Sequence, residues 1–286
     1  MSRNHTSGLT RRDILSGGIA ALGALSLGTR PNLALGAEGP YGPFKLGIQS
    51  YSLRGYTKNG QADVEKALAV TKELGLHFWE SYPAHIPTVT DPAEVASHKK
   101  KVEAEGVKVA GYGVVHFTKD HEANKRFFVF AKELGVDYLS ADPDPDSFSS
   151  LDKLVEEYGI AVGIHNHGPG HRYAMIDRIA AVIKDHHPKI GCCVDTGHFL
   201  RSREDPVRAV EVFGNRVFGV HLKDVKDAEK FTVLGKGDLR TVDLFKALAK
   251  IHYPYCLAIE YEENPENPVA DIRECLAAAK TAAAAL

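Results

Sequence analysis

Short apolar runs alternate with amphipathic segments along the chain from about Phe44 onward. Several amphipathic segments place apolar residues at i, i+3, i+4 and i+7, and many end in glycine, which is typical of helices. Strands alternating with helices of this length predict βαβ units and a parallel sheet. The predicted strands are FKLGIQSY, LHFWES, VKVAGYGVV, VDYLSA, IAVGIHNH, KIGCCVDTGH, RVFGVHLKD and CLAIEYE.

The number of these units indicates the architecture. Eight strand–helix units fill the ~250 residues of one (β/α)8 barrel, and no linker divides them. An open doubly wound sheet is the alternative, but the first helix is not opened by the GxGxxG motif of dinucleotide-binding sheets. The pattern therefore predicts an α/β fold with a single TIM barrel over residues 38–286. In such a barrel the chemistry lies where the strands end and the following loops begin.

The first 37 residues have a different composition. Arg11 and Arg12 follow Thr10 and precede a weakly apolar Gly/Ala/Leu stretch, and small residues close the segment at Ala37. This order is typical of an export signal, and the paired arginines indicate the twin-arginine type. An uncleaved membrane anchor is the alternative, but glycines interrupt the stretch and it is shorter than the ~20 apolar residues of a span. We therefore expect an exported, periplasmic protein with no stable membrane insertion after cleavage.

Composition excludes some partners and sites. The chain has 44% hydrophobic and 25% charged residues, as soluble globular proteins do. Its formal net charge of −2 becomes more negative once the arginine-rich start is removed, which disfavours a nucleic-acid partner because phosphate contacts need a basic surface. Composition is compatible with an oligomer as well as with a monomer. The cysteines form no CxxC pair and are expected to be buried apolar residues: Cys192, Cys193, Cys256 and Cys275.

Polar residues stand at the C-terminal ends of the fifth to eighth predicted strands. Side chains at i and i+2 of a strand share a face, which allows one residue from each strand to point towards the barrel axis. A single Asp or His in such a place is as often a helix cap or a surface residue, but four consecutive strand ends favour a site. Two imidazoles and two carboxylates suit Mn²⁺, Co²⁺, Fe²⁺ or Zn²⁺. The candidate ligands are His165, Asp195, His221 and Glu260.

These strand ends resemble the xylose-isomerase-like barrel family of sugar isomerases and epimerases, which includes tagatose epimerases and inosose dehydratases. The motifs VDTGH, VHLKD, LGKGDL and AIEYE occur in the family's order and spacing. The resemblance implies one divalent ion, usually manganese, held by Glu, Asp, His and Glu from four strand ends. His165 stands where the family has its first glutamate. The other three ligands are matched by Asp195, His221 and Glu260.

The resemblance also implies roles in catalysis and substrate binding. Because His165 replaces one carboxylate of the family's acid/base pair, Glu260 is expected to move protons with a histidine of the fifth strand. Glu80, at the end of the second strand, is the alternative acid/base, unless it only pairs with a nearby Lys or Arg. Lys223 is expected to stabilise a developing oxyanion, with Asp224 orienting it. The expected contacts to the substrate are His167, His198 and the loop residues His85 and His116.

Two other features have structural interpretations. The only tryptophan, Trp79, does not share a face with Glu80 and is expected to pack under the helices and not to stack on a sugar. The LGKGDL segment has two glycines around a lysine, but it lacks the length and the Ser/Thr of a Walker loop. It is therefore interpreted as a tight loop.

The sequence thus predicts an exported, divalent-metal-dependent isomerase or epimerase. It would act on a sugar or keto-sugar by proton transfer next to a metal-bound carbonyl, with Mn²⁺ as the favoured ion. A keto-glycoside lyase or dehydratase is the alternative on the same metal site. A sugar-binding barrel without catalysis is a second alternative, because the glutamate of the fifth strand is missing. An abasic-site endonuclease is disfavoured by the acidic charge balance.

Overall fold

The computed structural model describes residues 1–2 and 39–286. The predicted export signal, residues 1–37, therefore lies outside the described residues except for its first two. Within the described ranges, no helix is long and apolar enough to cross a membrane.

The strands are short and, in the barrel, almost wholly buried. In the described part of the chain they are β1 (Lys45–Gln49), β2 (Thr57–Lys58), β3 (Gln61–Ala62), β4 (Phe78–Ser81), β5 (Lys108–Phe117), β6 (Tyr138–Pro143), β7 (Ala161–His165), β8 (Ile190–Asp195), β9 (Val217–Leu222), β10 (Asp224–Lys226), β11 (Lys230–Thr232) and β12 (Cys256–Ile259).

Eight of these strands close into a parallel barrel in the order β1-β12-β9-β8-β7-β6-β5-β4. Each of the eight apolar runs in the sequence supplies one barrel strand, so the predicted (β/α)8 fold is confirmed. All six residues of β8 are buried. The helices cover the outer face and side chains fill the interior, which explains why such strands read as continuous apolar runs.

Helices connect the barrel strands. They are α1 (Val64–Glu73), α2 (Pro92–Ala104), α3 (His121–Leu134), α4 (Phe148–Tyr158), α5 (Ile176–Ile183), α6 (Thr196–Arg201), α7 (Pro206–Phe213), α8 (Thr241–Lys250) and α9 (Val269–Ala283), with 3-10 turns at Ser50–Leu53 and Gly214–Arg216. The predicted glycine stops are correct for α3 and α4. They end at Gly135 and Gly159 with φ of 81° and 71°, a region that costs glycine little because it has no Cβ.

The outer core lies between the barrel strands and the helices. Trp79 is fully buried there, and its Nε1 donates a hydrogen bond of 2.8 Å to Thr71 Oγ1 on α1. The prediction that Trp79 packs under the helices is therefore confirmed. The four cysteines are free and buried, also as predicted.

Three elements were not anticipated from the apolar pattern. Two are small antiparallel hairpins, β2–β3 and β10–β11, whose mixed burial gives no clear alternation. The third is α6, which begins directly after β8. Both α6 and the β10–β11 hairpin follow strands that carry a candidate ligand at or next to their last residue, so they shape the rim of the barrel around the candidate site.

Candidate functional site

Four buried side chains meet at the C-terminal ends of neighbouring barrel strands. One comes from the last residue of each of β7 and β8, one from β9, and one directly follows β12. Parallel pairing places Asp195 beside His221, and one ligand atom of each residue lies within 4.8 Å of the other three. The structure thus brings together the residues predicted as metal ligands, His165, Asp195, His221 and Glu260.

The ligand atoms face one another at distances that one ion can bridge. His165 Nε2 lies 3.0 Å from His221 Nδ1 and 3.4 Å from Asp195 Oδ2. Glu260 Oε2 lies 3.1 Å from His221 Nδ1. Asp195 Oδ2 and Glu260 Oε2 are both buried without a hydrogen bond, and the ammonium of Lys223 lies 3.0 and 2.9 Å from them. Since one ammonium next to several buried carboxylates leaves negative charge in the cluster, this set of nitrogen and oxygen donors fits a divalent cation.

Asp195 combines two roles that the sequence presented as alternatives. Its Oδ1 accepts a hydrogen bond of 2.7 Å from the backbone N–H of His198 and so caps the N-terminus of α6. Its Oδ2 faces the ligand cluster. The cap fixes the rotation of the carboxylate and thereby aims the second oxygen at the site.

Asn166 ties the two strands that carry His165 and Asp195. Its amide Nδ2 donates to the carbonyl of Asp195, and its Oδ1 accepts from the N–H of Asp195, each over 2.8 Å. Asn166 is fully buried. These two bonds continue the pairing of β7 and β8 beyond the last residue of β7, which holds two ligands at a fixed separation.

Lys223 brings a positive charge into the acidic part of the cluster. Its Nζ lies 3.0 Å from Asp195 Oδ2 and 2.9 Å from Glu260 Oε2, and it donates a hydrogen bond to Glu262 Oε1. The side chain is only 2% exposed. A buried ammonium next to three carboxylates is tolerated because the charges compensate one another.

The pKa values of these groups follow from that arrangement. Burial raises the pKa of a carboxyl group, but the Lys223 ammonium and His221 outweigh it and lower the pKa of Glu260 to about 2. Burial acts in the same direction on Asp195, whose pKa Lys223 and His198 lower well below its usual value. Burial lowers the pKa of Lys223, but the three carboxylates raise it above its usual value. At neutral pH both carboxylates are therefore ionised and able to bind a cation.

Glu80 lies beneath the ligand cluster and not in the cavity above it. It is fully buried, and its Oε1 lies 2.8 Å from Nε2 of His221, the ring nitrogen that faces away from the other ligands. Burial raises the pKa of Glu80, but the contacts with His221, Ser140 and Tyr138 lower it overall. Glu80 does not pair with a Lys or Arg in the structure, contrary to that alternative prediction. Its ionisable partner is a histidine.

A cavity of about 290 Å³ opens above the cluster. Of the predicted substrate contacts, His167 and His198 line it, as do the predicted catalytic residues His165, Lys223 and Glu260. The other residues that line the cavity were not predicted from the sequence. Glu262, which shares a strand face with Glu260, was the one member that parity could have suggested. The remaining lining residues are Gln49, Tyr51, Tyr82, Gly113 and Val114.

The two cavity histidines that are not ligands are neutral at physiological pH. Burial, together with the neighbouring rings of His165, His171 and His198, lowers the pKa of His167 to about 3. Burial likewise lowers the pKa of His198 to about 4. A neutral imidazole can both donate and accept a hydrogen bond, which suits contacts with sugar hydroxyl groups.

The structure places the other two predicted contacts away from the cavity wall. His85 is buried one layer behind Tyr82, and its Nδ1 lies 2.8 Å from Ser50 Oγ. His116 belongs to β5 and not to a loop, and its side chain is 53% exposed and 3.2 Å from Asp144. A one-residue register shift between β5 and β6 precedes His116 and changes the face on which it lies.

Asp224 does not orient the Lys223 side chain, contrary to expectation. Its carboxylate accepts backbone N–H groups of the LGKGDL loop, at 2.9 Å from Gly235, 3.0 Å from Gly237 and 2.9 Å from Leu239. A Cβ on Gly237 would lie 2.4 Å from this carboxylate, so only glycine allows the approach. The N–H groups that a phosphate loop would offer are thus used internally, in agreement with the tight-loop interpretation.

A family model described as "Xylose isomerase-like TIM barrel" matches residues 68–280. The chain belongs to this family. The curated relatives include the inosose dehydratase of Clostridium botulinum (strain Alaska E43 / Type E3), 29% identical over 146 residues. That match covers 43% of this chain and 48% of the relative. The inosose dehydratase of Clostridium tetani (strain Massachusetts / E88) is 30% identical over 142 residues, 42% of this chain and 47% of the relative.

The chain spans about half the length of these curated relatives. Solved structures match more of it. An uncharacterised protein from Parabacteroides distasonis ATCC 8503 is 25% identical, with a TM-score of 0.63 over 82% of this chain and 97% of that one. The 3-keto-D-glucoside 4-epimerase from E. coli is 16% identical, with a TM-score of 0.64 over 83% and 99%, and supports the fold alone. The family predicted from the strand-end motifs is therefore confirmed.

Proposed function

We propose that this protein is a divalent-metal-dependent enzyme that transfers a proton next to the carbonyl of a sugar or keto-sugar, with isomerisation or epimerisation as the outcome. One observation carries the proposal. Four buried ligand atoms, including two carboxylate oxygens without hydrogen-bond partners, converge at the base of a cavity of about 290 Å³. A polar cavity of this size suits a single small substrate.

The residues that would hold the ion are His165, Asp195, His221 and Glu260, through Nε2, Oδ2, Nδ1 and Oε2 respectively. When bound, such an ion supplies Lewis-acid polarisation of a carbonyl oxygen. We propose Mn²⁺ as the natural ion, because the set mixes two imidazoles with two carboxylates and lacks thiolates. His165 acts as a ligand in the place of the family's glutamate, since a neutral imidazole binds the same ions.

The other steps belong to the side chains of the cavity. The Glu260 carboxylate, 8% exposed and ionised, would take the proton from the carbon next to the carbonyl and, in an isomerisation, deliver it to the former carbonyl carbon. In an epimerisation the proton would reach the opposite face of the same carbon from a second group, for which the cavity offers His167. The Lys223 ammonium, which also lines the cavity, would donate a hydrogen bond to the oxygen that becomes negative. The neutral imidazoles of His167 and His198 would bind substrate hydroxyl groups and exclude water.

Elimination of water or of a glycoside is the second candidate outcome on the same site. Two observations favour it. The curated relatives are named inosose dehydratase, and among the metal ligands Glu260 is the one carboxylate that also lines the cavity. Epimerisation needs proton donors or acceptors on both faces of the carbon, whereas elimination needs one base and one acid for the leaving group, roles that Glu260 and a cavity histidine or Lys223 can fill.

Deuterium exchange tests the proposal. The manganese-loaded protein is incubated in deuterated water with a panel of ketoses, inososes and 3-keto-glycosides, and products and deuterium content are followed by mass spectrometry. We expect deuterium at the carbon next to the carbonyl for at least one substrate, and its loss in Glu260→Gln. A protein that binds these sugars tightly without exchange or product, and equally well as Glu260→Gln, would instead be a binding barrel.

We further propose that the protein is exported by the twin-arginine route and acts in the periplasm. The support is the Arg11–Arg12 pair followed by a weakly apolar stretch. Replacing both arginines by lysine keeps the charge and removes the pair that the transport machinery recognises. Cell fractionation should find the wild type in the periplasm and the double variant in the cytoplasm. Equal export of both would refute the twin-arginine route.

A further inference from the structure

Glu80 and His221 form a pair across the barrel interior, 141 residues apart in sequence. Neither side chain is exposed. Glu80 Oε1 lies 2.8 Å from His221 Nε2, while Nδ1 of the same ring is the atom that faces His165 and Glu260. The carboxylate therefore holds the face of the ring opposite to the ligand cluster.

The neighbours of Glu80 determine the direction of this hydrogen bond. Gln49 donates its amide Nε2–H over 3.2 Å to Oε1, since its own Oε1 is occupied by the N–H of Tyr51. Tyr138 donates its hydroxyl to Oε2 over 2.5 Å, and the Ser140 hydroxyl donates to Oε1. Its three other hydrogen-bond partners are thus donors, and the carboxylate acts only as an acceptor.

Because the Glu80 carboxylate accepts a hydrogen bond from Nε2 of His221, this ring must carry its proton on Nε2. The lone pair of Nδ1 then points at the position where Asp195 Oδ2 and Glu260 Oε2 also converge. A carboxylate on the far nitrogen fixes both the tautomer and the rotation of a metal-binding imidazole and makes it more basic. Because three other donors in turn fix Glu80, the ring has a single orientation in the barrel.

We propose that Glu80 is a positioning residue for the metal site, which acts through His221, and is not the acid/base of the reaction. This inference rests on the proposed metal-dependent function. Two geometric observations support this proposal. Glu80 does not line the cavity above the ligands, and its four hydrogen bonds leave it no oxygen free for a substrate. The proposal predicts that Glu80 affects how tightly the ion binds, independently of any substrate.

The test compares metal binding by the full-length wild type and Glu80→Gln. Gln keeps the shape but presents an N–H group where the carboxylate accepts, so the contact with His221 Nε2–H is weakened or the ring turns. We expect Mn²⁺ affinity, measured by calorimetry, to fall by about 10–100-fold. The visible bands of the Co²⁺-loaded protein should shift, because the angle of the His221 ligand changes.

A matched control exists elsewhere in the barrel. Asp152 forms a similar pair with His186, over 2.9 Å, away from the ligand cluster. Asp152→Asn should leave Mn²⁺ affinity and the Co²⁺ bands unchanged. Tyr138→Phe and Ser140→Ala each remove one donor to Glu80 and should give smaller losses of affinity, of a few fold, in the same direction. Unchanged affinity and bands in Glu80→Gln would overturn the proposal.

If Glu80→Gln does not fold, a second measurement on the wild type tests the predicted tautomer of His221. Long-range proton–nitrogen spectra of the Zn²⁺-loaded wild type, labelled with ¹⁵N-histidine, report the tautomer of each ring, and His221→Gln identifies the signals of His221. The proposal requires a proton on Nε2, and a proton on Nδ1 would refute it. A wild type that binds neither Mn²⁺ nor Zn²⁺ would instead refute the proposed function.

Discussion

Two His–Asp pairs at the C-terminal rim of the barrel have nearly the same geometry and opposite surroundings. His165 on β7 lies 3.4 Å from Asp195 on β8, with exposed fractions of 4% and 0%. His116 on β5 lies 3.2 Å from Asp144, just after β6, with exposed fractions of 53% and 30%. Each pair joins neighbouring strands, and the shorter distance belongs to the exposed pair.

The difference lies in what else surrounds each carboxylate. Asp144 also accepts a hydrogen bond of 2.7 Å from Arg172, and water reaches both members of its pair. Asp195 Oδ2 is buried without a hydrogen bond, beside two imidazoles and a second carboxylate, and it shares the Lys223 ammonium with Glu260. Exposed ion pairs are screened and contribute little, whereas buried carboxylates that share one ammonium favour the binding of a further cation. The separation of two residues is therefore poor evidence for a site, and burial with unsatisfied atoms is better evidence.

The largest contrast should come from neutralising the aspartate of each pair. Asp195→Asn removes an anionic ligand from the cluster, so Mn²⁺ affinity should fall by more than about 100-fold, beyond the usual effect of a residue that only supports a ligand. Isothermal titration measures it. Asp144→Asn is the matched control and should bind Mn²⁺ as the wild type does. Similar affinities for the two variants would remove the distinction between the two pairs.

Lys223 is the cation that compensates the negative charge of the buried cluster, and within the described residues the exposed His116–Asp144 pair has no buried counterpart of it. In Lys223→Met the carboxylates of Asp195, Glu260 and Glu262 lose their common partner. We expect the free energy of unfolding without metal to fall by about 3–5 kcal/mol, as for other broken buried ion pairs. Mn²⁺ should restore part of this loss, since it supplies positive charge to the same oxygens. Urea unfolding with and without Mn²⁺ gives both values, and a variant as stable as the wild type would contradict the argument.

Unlike His165 and His116, His85 is a buried imidazole without a carboxylate partner among the residues that the structure describes. Burial lowers its pKa to about 4, below the unfolded value near 6.5, so the unfolded state binds the proton first as the pH falls. His85 therefore destabilises the fold progressively between pH 6.5 and pH 4, by at most about 3 kcal/mol, and has no such effect above that window. Unfolding free energies at several pH values should decline less steeply for His85→Gln. Parallel pH profiles of variant and wild type would disprove this role.

Asn166 tests whether the spacing of the buried pair depends on backbone ties. Asn166→Ala leaves the N–H and carbonyl of Asp195 without partners, and we expect a loss of about 2 kcal/mol in unfolding free energy. Because the β7 and β8 ends would no longer be held together, Mn²⁺ affinity should fall by a few fold. Ser202→Ala removes a buried hydroxyl that has no hydrogen-bond partner and serves as a control with little expected effect. An Asn166→Ala protein with unaltered stability and affinity would show that the pairing of the strands is sufficient.

Local sequence patterns predicted much of the molecule correctly. The alternation of apolar runs and amphipathic segments specified eight barrel strands, and parity placed His165 and His167 on one face with Asn166 on the other. Parity is reliable there because β7 pairs with its neighbours without a register shift. It did not place His116, which follows a register shift in β5 beside Gly113.

The part of the site that was not predicted depends on contacts between distant segments. Glu80 looked like a candidate acid/base because it ends a strand, yet its place depends on the depth at which β4 carries it below His221. Asp224 follows Lys223 directly, but its carboxylate binds a loop more than ten residues further along the chain. Neither outcome leaves a periodic signal in the sequence.

The sequence by itself determined the number of barrel strands, the residue types at the strand ends and the face on which most of them lie, because these depend on backbone periods of 3.6 and 2 residues. The tertiary structure decided which polar residues share one buried space, namely that Lys223 lies among three carboxylates and that Glu80 lies below His221, in contact with its ring. Closing the barrel fixes the stagger of each strand against the next, and this stagger sets the height and the neighbours of every side chain at the rim.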